Sequence, residues 1–227
     1  MRRYLLVVAA VASLGLVSHA RKHYSVVSPD SRTVLEVNVS DRISYRLLYG
    51  GEVFIDESLA GIETDHGRFG ENFNVCKVIR RSIDEVIRTP VYKRAEEKNV
   101  CNELELVGKD GYNLVLRAYD EGAAFRFVPT CRDDITVYAE NTEFNLGADR
   151  MAYISYVKKD GDFNDQFFNT FENVYEHTHI SEWRSGKLAF LPVLFEMENG
   201  GRMCITESDL EHYPGMYLTG DGTSVLK

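Results

Sequence analysis

Glu207 and Asp209 stand two residues apart in Thr206-Glu-Ser-Asp-Leu210. A carboxylate pair can supply the acid and the base of glycoside hydrolysis. The turn residues Tyr213-Pro214-Gly215 follow closely, and Asp and Ser readily bond nearby backbone groups. The segment therefore reads first as acids that hold loop backbone, with Tyr213 beside them. His177 and His179 form a His-x-His pair that a strand would point to one face, a geometry metals use. No further histidine lies near them, and Glu176 and Glu182 offer ion-pair partners instead. Asp160-Gly-Asp162-Phe-Asn164-Asp165 suggests a calcium loop. That loop needs Gly at its sixth position and Glu at its twelfth, where this chain has Asp165 and Phe171. A solvated acidic turn is the better reading. Glu172, in the aromatic-rich stretch Phe171-Glu-Asn-Val-Tyr175, is by residue type an ordinary surface carboxylate. Arg117 and Arg126 read as partly buried structural arginines paired with acids. Trp183 reads as core, although such a ring can also stack on sugars.

These side chains must be positioned by strands. Leu35, Val37 and Val39 share one strand face, and Ile43, Tyr45, Leu47 and Tyr49 share the next. Gly50-Gly51 then turns into Val53-Phe54-Ile55, a two-residue hairpin signal. Leu114 to Tyr119 alternates, turns at Asp120-Glu121-Gly122 with Gly122 as the left-handed residue, and returns through Phe127. Further strands are expected at Val75–Ile79, Glu85–Arg88, Glu103–Val107, Thr136–Ala139, Ala152–Tyr156, Leu188–Met197 and Met203–Thr206, with a turn at Asn199-Gly200-Gly201. Helical periodicity is scarce, and Ser208–His212 would form a single helical turn at most. Many short strands at this spacing make an all-β sandwich or barrel in one domain.

Residues 1–20 read as a signal peptide. Arg2 and Arg3 precede the apolar run Leu5–Val17, and Ser18-His19-Ala20 resembles a cleavage site. The run is shorter than the roughly 20 residues that span a bilayer, so no stable membrane anchor is expected. Removing it takes away two arginines and no acid, leaving 24 basic against 35 acidic residues, a formal charge of −11. That balance argues against nucleic acid and anionic membranes as partners. Four cysteines, Cys76, Cys101, Cys131 and Cys204, allow three fully paired arrangements in an exported protein. Their spacings of 25, 30 and 73 residues fit no compact zinc site. Cys101 and Cys204 lie in or beside apolar runs, where a free buried thiol is as reasonable as a bridge.

Taken in order, Ser28-Pro-Asp30, Glu57-Ser-Leu59, Cys101-Asn-Glu-Leu104, the Asp120–Phe127 hairpin, Phe171–Tyr175 and Ile205–Met216 resemble the N-terminal domain of a glycoside hydrolase family 97 enzyme. The chain departs from that pattern at Leu59-Ala60-Gly61 and around Tyr92–Lys98. The resemblance implies a many-stranded antiparallel β-supersandwich of the galactose-mutarotase-like kind, spanning residues 21–227. It implies a parent enzyme acting on α-linked glucosides or galactosides in oligo- or polysaccharides, exported to the periplasm or exterior of a Gram-negative bacterium. The (β/α)8 catalytic domain is absent from this chain, so no catalytic residue is expected in it. That barrel would be the domain's partner, and Glu207, Asp209 and Tyr213 would be structural residues near the interface. Counted back from Ile180-Ser-Glu182, Glu172 falls where the family places a glutamate that reaches the barrel's calcium ion. Two alternatives stand beside this reading: a free-standing carbohydrate-binding or scaffolding sandwich, and an aldose-epimerase-like enzyme with His and Glu converging on a concave face.

Overall fold

The computed structural model describes residues 21–91, 93–158, 162–208, 210 and 213–227. The expected signal peptide, Asp160-Gly161 and Asp209 lie outside the described residues, as do Glu211 and His212. The strands in chain order are β1 (Lys22–Val27), β2 (Thr33–Val39), β3 (Ile43–Tyr49), β4 (Glu52–Leu59), β5 (Ile62–Thr64), β6 (Gly67–Phe69), β7 (Val75–Arg88), β8 (Glu96–Gly108) and β9 (Tyr112–Tyr119). They continue as β10 (Gly122–Pro129), β11 (Val137–Glu140), β12 (Phe144–Asn145), β13 (Met151–Tyr156), β14 (Glu176–His179), β15 (Leu188–Glu196), β16 (Arg202–Ile205), β17 (Tyr217–Thr219) and β18 (Val225–Leu226). Two short 3-10 turns, Phe163–Phe167 and Ile180–Glu182, are the helical elements among the described residues.

Every strand pairing is antiparallel, so the chain is an all-β sandwich of several sheets. One sheet runs β1-β2-β3-β4-β12-β18, and β10-β9-β8-β7 faces it. A third runs β14-β13-β15-β16, with β17 also on β15, and β11-β5-β6 forms a small fourth. Alternation decides which residues go inside. Leu35, Val37 and Val39 of β2 and Leu104, Leu106, Leu114 and Leu116 of β8 and β9 meet in one apolar core. The same core continues into β13 and β15 through Ile154, Tyr156, Val193 and Phe195.

The turns show how local chemistry sets this arrangement. Gly50 and Gly51 both take positive φ, 60° and 86°, and close the β3–β4 hairpin as expected. Gly70 has φ 99°, and a Cβ there would lie 2.2 Å from the Ala60 carbonyl oxygen, so only glycine fits. Its amide donates to the Tyr112 hydroxyl at 2.9 Å. That ring stacks between Phe69 and Phe73, with centroids 4.4 and 4.6 Å away.

Three expectations need correction. The strands expected at Val75–Ile79 and Glu85–Arg88 are one 14-residue strand, β7, paired along its length with β8. Both faces of β7 are largely exposed, so the residues between the two expected runs can carry charge and still belong to the strand. The hairpin at Asp120 turns on two residues, with Tyr119 paired to Gly122, and Gly122 has no positive φ. The Asp120 carboxylate instead accepts the Asp30 amide at 2.9 Å, tying the hairpin tip to the Ser28–Asp30 turn. Arg126 is exposed rather than half-buried.

Candidate functional site

In the segment between β13 and β14 three amide side chains bond inward while the aromatic side chains face outward, and its described acids and Asn164 stay exposed. Gln166 is buried, donates to the Gly186 carbonyl at 2.8 Å and accepts the Leu188 amide at 3.0 Å. Asn169 accepts the Lys158 amide at 3.2 Å. Asn173 donates to the Tyr156 carbonyl at 2.6 Å, and its own carbonyl accepts the Ser155 hydroxyl at 3.1 Å. Each of these amides satisfies backbone groups that the irregular segment leaves unpaired, so the loop is pinned to β13 and β15. Phe168, Phe171 and Val174 meanwhile remain 78%, 67% and 79% exposed. Phe163 and Phe167 join them, edge to face at 5.7 Å. Phe167 and Phe171 lean on Tyr217 at 5.3 and 6.3 Å, and Phe171 meets Phe190 at 5.2 Å. Large contiguous apolar patches on a folded surface mark interaction sites.

Glu172 stands in the middle of this face. Its backbone is fixed through Asn173, while its side chain is exposed and makes no ion pair or hydrogen bond among the described residues. Its neighbours differ. Glu176 is bonded to Arg184 at 2.6 Å, and Glu182 accepts the Thr178 hydroxyl. Glu172 is therefore a free, hard oxygen donor on a fixed backbone, which suits one position of a calcium shell. Calcium takes 6–8 oxygens, and the described residues contain no cluster of three or more acidic, His or Cys side chains that could hold a metal. Any further ligands would have to come from beyond these residues.

Beside the face lies the second group of acids. Both oxygens of Glu207 accept the Met216 amide, at 2.7 and 2.9 Å, so this carboxylate holds loop backbone. Tyr213 donates to Glu140 at 3.4 Å. Burial, followed by the nearby Glu140 charge, pushes the Tyr213 phenol up to about 12. The Glu140 carboxyl is itself raised, chiefly by desolvation and further by Glu207. Sequence reading missed Glu140, because its link to Tyr213 crosses 73 residues.

The remaining candidates resolve into structural roles. His177 stacks on Tyr153 at 4.2 Å and lies 3.4 Å from Glu196; His179 lies 3.4 Å from Asp149. Their partners are thus Glu196 and Asp149 rather than Glu176 and Glu182. Arg117 bonds Glu103 at 2.8 Å in a network shared with Arg81. Trp183 is buried edge-on to Tyr156 and donates to the Lys187 carbonyl at 2.9 Å. All four cysteines are free, with Cys101 buried and Cys204 exposed. On the outer side of β1–β4, His23, Glu36, Asp56 and Glu57 line an open groove of about 440 Å³ with Arg21, Asn38 and Arg46. The fold thus gathers a histidine and acids that are far apart in sequence. They are engaged with one another: Arg21 with Glu57 at 3.0 Å, Arg46 with Asp56 at 3.2 Å and His23 with Asn38 at 3.1 Å.

The fold and this site define an all-β sandwich with an exposed aromatic face beside the free Glu172 carboxylate. Residues 26–227 match the glycosyl-hydrolase 97 N-terminal family, and the chain belongs to it. It is 37% identical over 203 residues to a retaining alpha-galactosidase of Bacteroides thetaiotaomicron, a match covering 88% of this chain and 31% of that protein. It is 26% identical over 148 residues to a probable retaining alpha-galactosidase of Streptomyces bingchenggensis, covering 63% of this chain and 22% of that one. Among solved structures, a glycoside hydrolase family 97 enzyme from Pseudoalteromonas sp. strain K8, in complex with panose, superposes with a TM-score of 0.71 at 24% identity, over 90% of this chain and 31% of that chain. A beta-arabinopyranosidase superposes with a TM-score of 0.75 at 22% identity, over 90% of this chain and 35% of that chain. These two likenesses concern the fold alone. The chain spans about a third or less of the length of these relatives.

Proposed function

We propose that this chain is the N-terminal sandwich of an exported glycoside hydrolase acting on α-linked galactosides or glucosides. In this reading the domain packs its aromatic face on a (β/α)8 catalytic barrel and lends Glu172 to a calcium ion at the junction. The hydrolytic carboxylates belong to the barrel. The observation that carries the proposal is the loop between β13 and β14: three buried or bonded amides hold the segment rigid while Phe168, Phe171 and Val174 face outward. Large exposed apolar patches are rare on folded monomers and mark surfaces that a partner or ligand covers. The two alpha-galactosidase relatives favour galactosides over glucosides as the first substrates to try. Export rests on Arg2, Arg3, Leu5–Val17 and Ser18-His19-Ala20. Mass spectrometry of secreted protein should therefore find Arg21 at its N-terminus, and Met1 there would refute export.

The test uses an enzyme that carries this domain together with its barrel. Glu172→Gln keeps the side chain's shape and removes its charge. Calcium affinity measured by calorimetry should fall by at least about tenfold, a loss typical of disturbing even an outer-shell partner. Turnover of an aryl α-galactoside should fall with it, and excess calcium should restore part of the loss. Unchanged affinity together with unchanged turnover would remove Glu172 from the metal site.

A further inference from the structure

β7 ends the sheet β10-β9-β8-β7, and among the described residues its 14 residues pair with β8 alone. A bare strand edge offers a row of N–H and C=O groups that another strand can take up. Nearly all of β7 is exposed, and Val78, Val86 and Ile87 remain 41%, 55% and 46% exposed. No proline interrupts it. Its charges would repel an arbitrary strand, but they are ordered. Strand geometry puts Val78, Arg80, Ser82, Asp84 and Val86 on one face, and the register sets them beside Leu106, Leu104, Asn102, Val100 and Lys98 of β8. Read from either end, that face is apolar, charged, Ser82, charged, apolar, with the sign of the charge inverted across the centre.

We propose that β7 is a homodimerisation edge, at which two copies pair antiparallel about a two-fold axis through Ser82 and join their sheets into one. A two-fold axis perpendicular to a sheet sets Ser82 opposite its own copy. Val78 then meets Val86 of the second copy, and Arg80 meets Asp84 of the second copy, each pair occurring twice. Like residues facing like across the axis is what an isologous interface requires, and opposite charges and β-branched pairs directly across strands are the favourable ones. The free charges select this register. Asp84 has no partner among the described residues, and Arg80 donates only to the Ser25 carbonyl, at 2.8 Å. On the other face Arg81 is already bonded to Glu103 and Glu105, at 2.6 and 2.7 Å, and Glu85 to Asn99 at 2.6 Å. Shifting the axis to Ile83 would set Arg80 against Val86 and leave Asp84 unmatched by a base.

Sedimentation of the purified chain over a range of concentrations tests this. The chain should dimerise. Arg80→Asp and Asp84→Arg should each weaken the dimer by about ten- to a hundredfold, because two attractive pairs become two repulsive ones. The double variant R80D/D84R restores opposite charges across the axis and should recover dimerisation, although it cannot restore the bond to Ser25. A chain that stays monomeric, a dimer indifferent to either single swap, or no recovery in the double variant would each overturn the proposal. A second measurement leaves the charges in place. With the accessible Cys76, Cys131 and Cys204 replaced by serine, spin labels on Val86→Cys should lie roughly 27 Å apart across the dimer, from eight residues at about 3.4 Å each. A clearly different separation would refute the register. These substitutions lie away from the aromatic face, so the result is independent of docking to a barrel.

Discussion

Two groups of aromatic side chains in this molecule have opposite fates. Phe69, Phe73 and Tyr112 stack on one another in the core beneath Gly70, each almost wholly buried. Phe163, Phe167 and Phe171 also touch one another or Tyr217, yet they stand in solvent, as does Phe168. The residue types are the same, so hydrophobicity does not explain the difference. What differs is the backbone each group is mounted on. Phe69 and Tyr112 of the first group sit on the paired strands β6 and β9, and Phe73 on the short link before β7, with all three rings turned inward. The second sits on an irregular segment whose Gln166, Asn169 and Asn173 side chains bond the backbone of Gly186, Leu188, Lys158 and Tyr156. Those amides occupy the inward positions, and the rings are left outside.

This comparison breaks most readily at Tyr112. Tyr112→Ala should lower the stability of the chain by about 3–5 kcal/mol, as expected for truncating a large buried ring. Tyr112→Phe should cost about 1–3 kcal/mol, because it strands the buried Gly70 amide without its acceptor. Denaturant titration would show both, and a small effect of Tyr112→Ala would mean the stack is not part of the cooperative core. Phe168→Ala combined with Phe171→Ala should change this chain's stability by no more than about 0.5 kcal/mol per site, as for surface positions. In an enzyme that includes the barrel the same pair should lower thermal stability measurably. Equal effects with and without the barrel would show the face to be ordinary surface.

The smallest expected effect is a pH dependence that sets the two faces apart electrostatically. Burial raises the Glu103 carboxyl, but its bonds to Arg117 and Arg81 outweigh this and hold it below the usual carboxylate range. A lowered folded-state value means that Glu103 stabilises the fold above its unfolded pKa, and that this contribution is lost as pH falls through the folded value. Glu140, which bonds Tyr213, is raised instead, chiefly by desolvation. Its ionisation opposes folding, and that penalty disappears on acidification. Unfolding measured between about pH 3 and pH 7 should therefore show a shallower acid loss in Glu103→Gln. In Glu140→Gln the acid loss should be steeper, because the compensating gain is gone. A Glu103→Gln profile parallel to that of the parent chain would contradict the assigned network.

Much of the architecture was legible without coordinates. Alternation at Leu35, Val37 and Val39 and at Leu114, Leu116 and Ala118 gave both facing sheets, and Gly50-Gly51 gave the hairpin between β3 and β4. These signals are local: a side chain's face follows from the two-residue period of a strand, and a tight hairpin follows from backbone that only glycine adopts cheaply. The resemblance to family 97 was likewise carried by short motifs in order, and the family match bears it out.

What a two-residue period cannot say is which face meets which neighbour. The continuity of β7 through Arg81 and Asp84 depended on β8 pairing with it over its whole length, and the charges stay exposed because nothing among the described residues lies against its outer edge. The tie between Asp120 and Asp30 spans 90 residues, and Glu140 reaches Tyr213 across 73. Phe73 is buried by its stack on Tyr112, 39 residues away in sequence, while Phe168 is left exposed on the loop that spends its amides on the backbone of its neighbours. The sequence by itself determined strand, turn and family, because those are written in near neighbours. The tertiary structure alone decided which aromatic rings form the core and which form a surface, because that depends on partners brought together from distant parts of the chain.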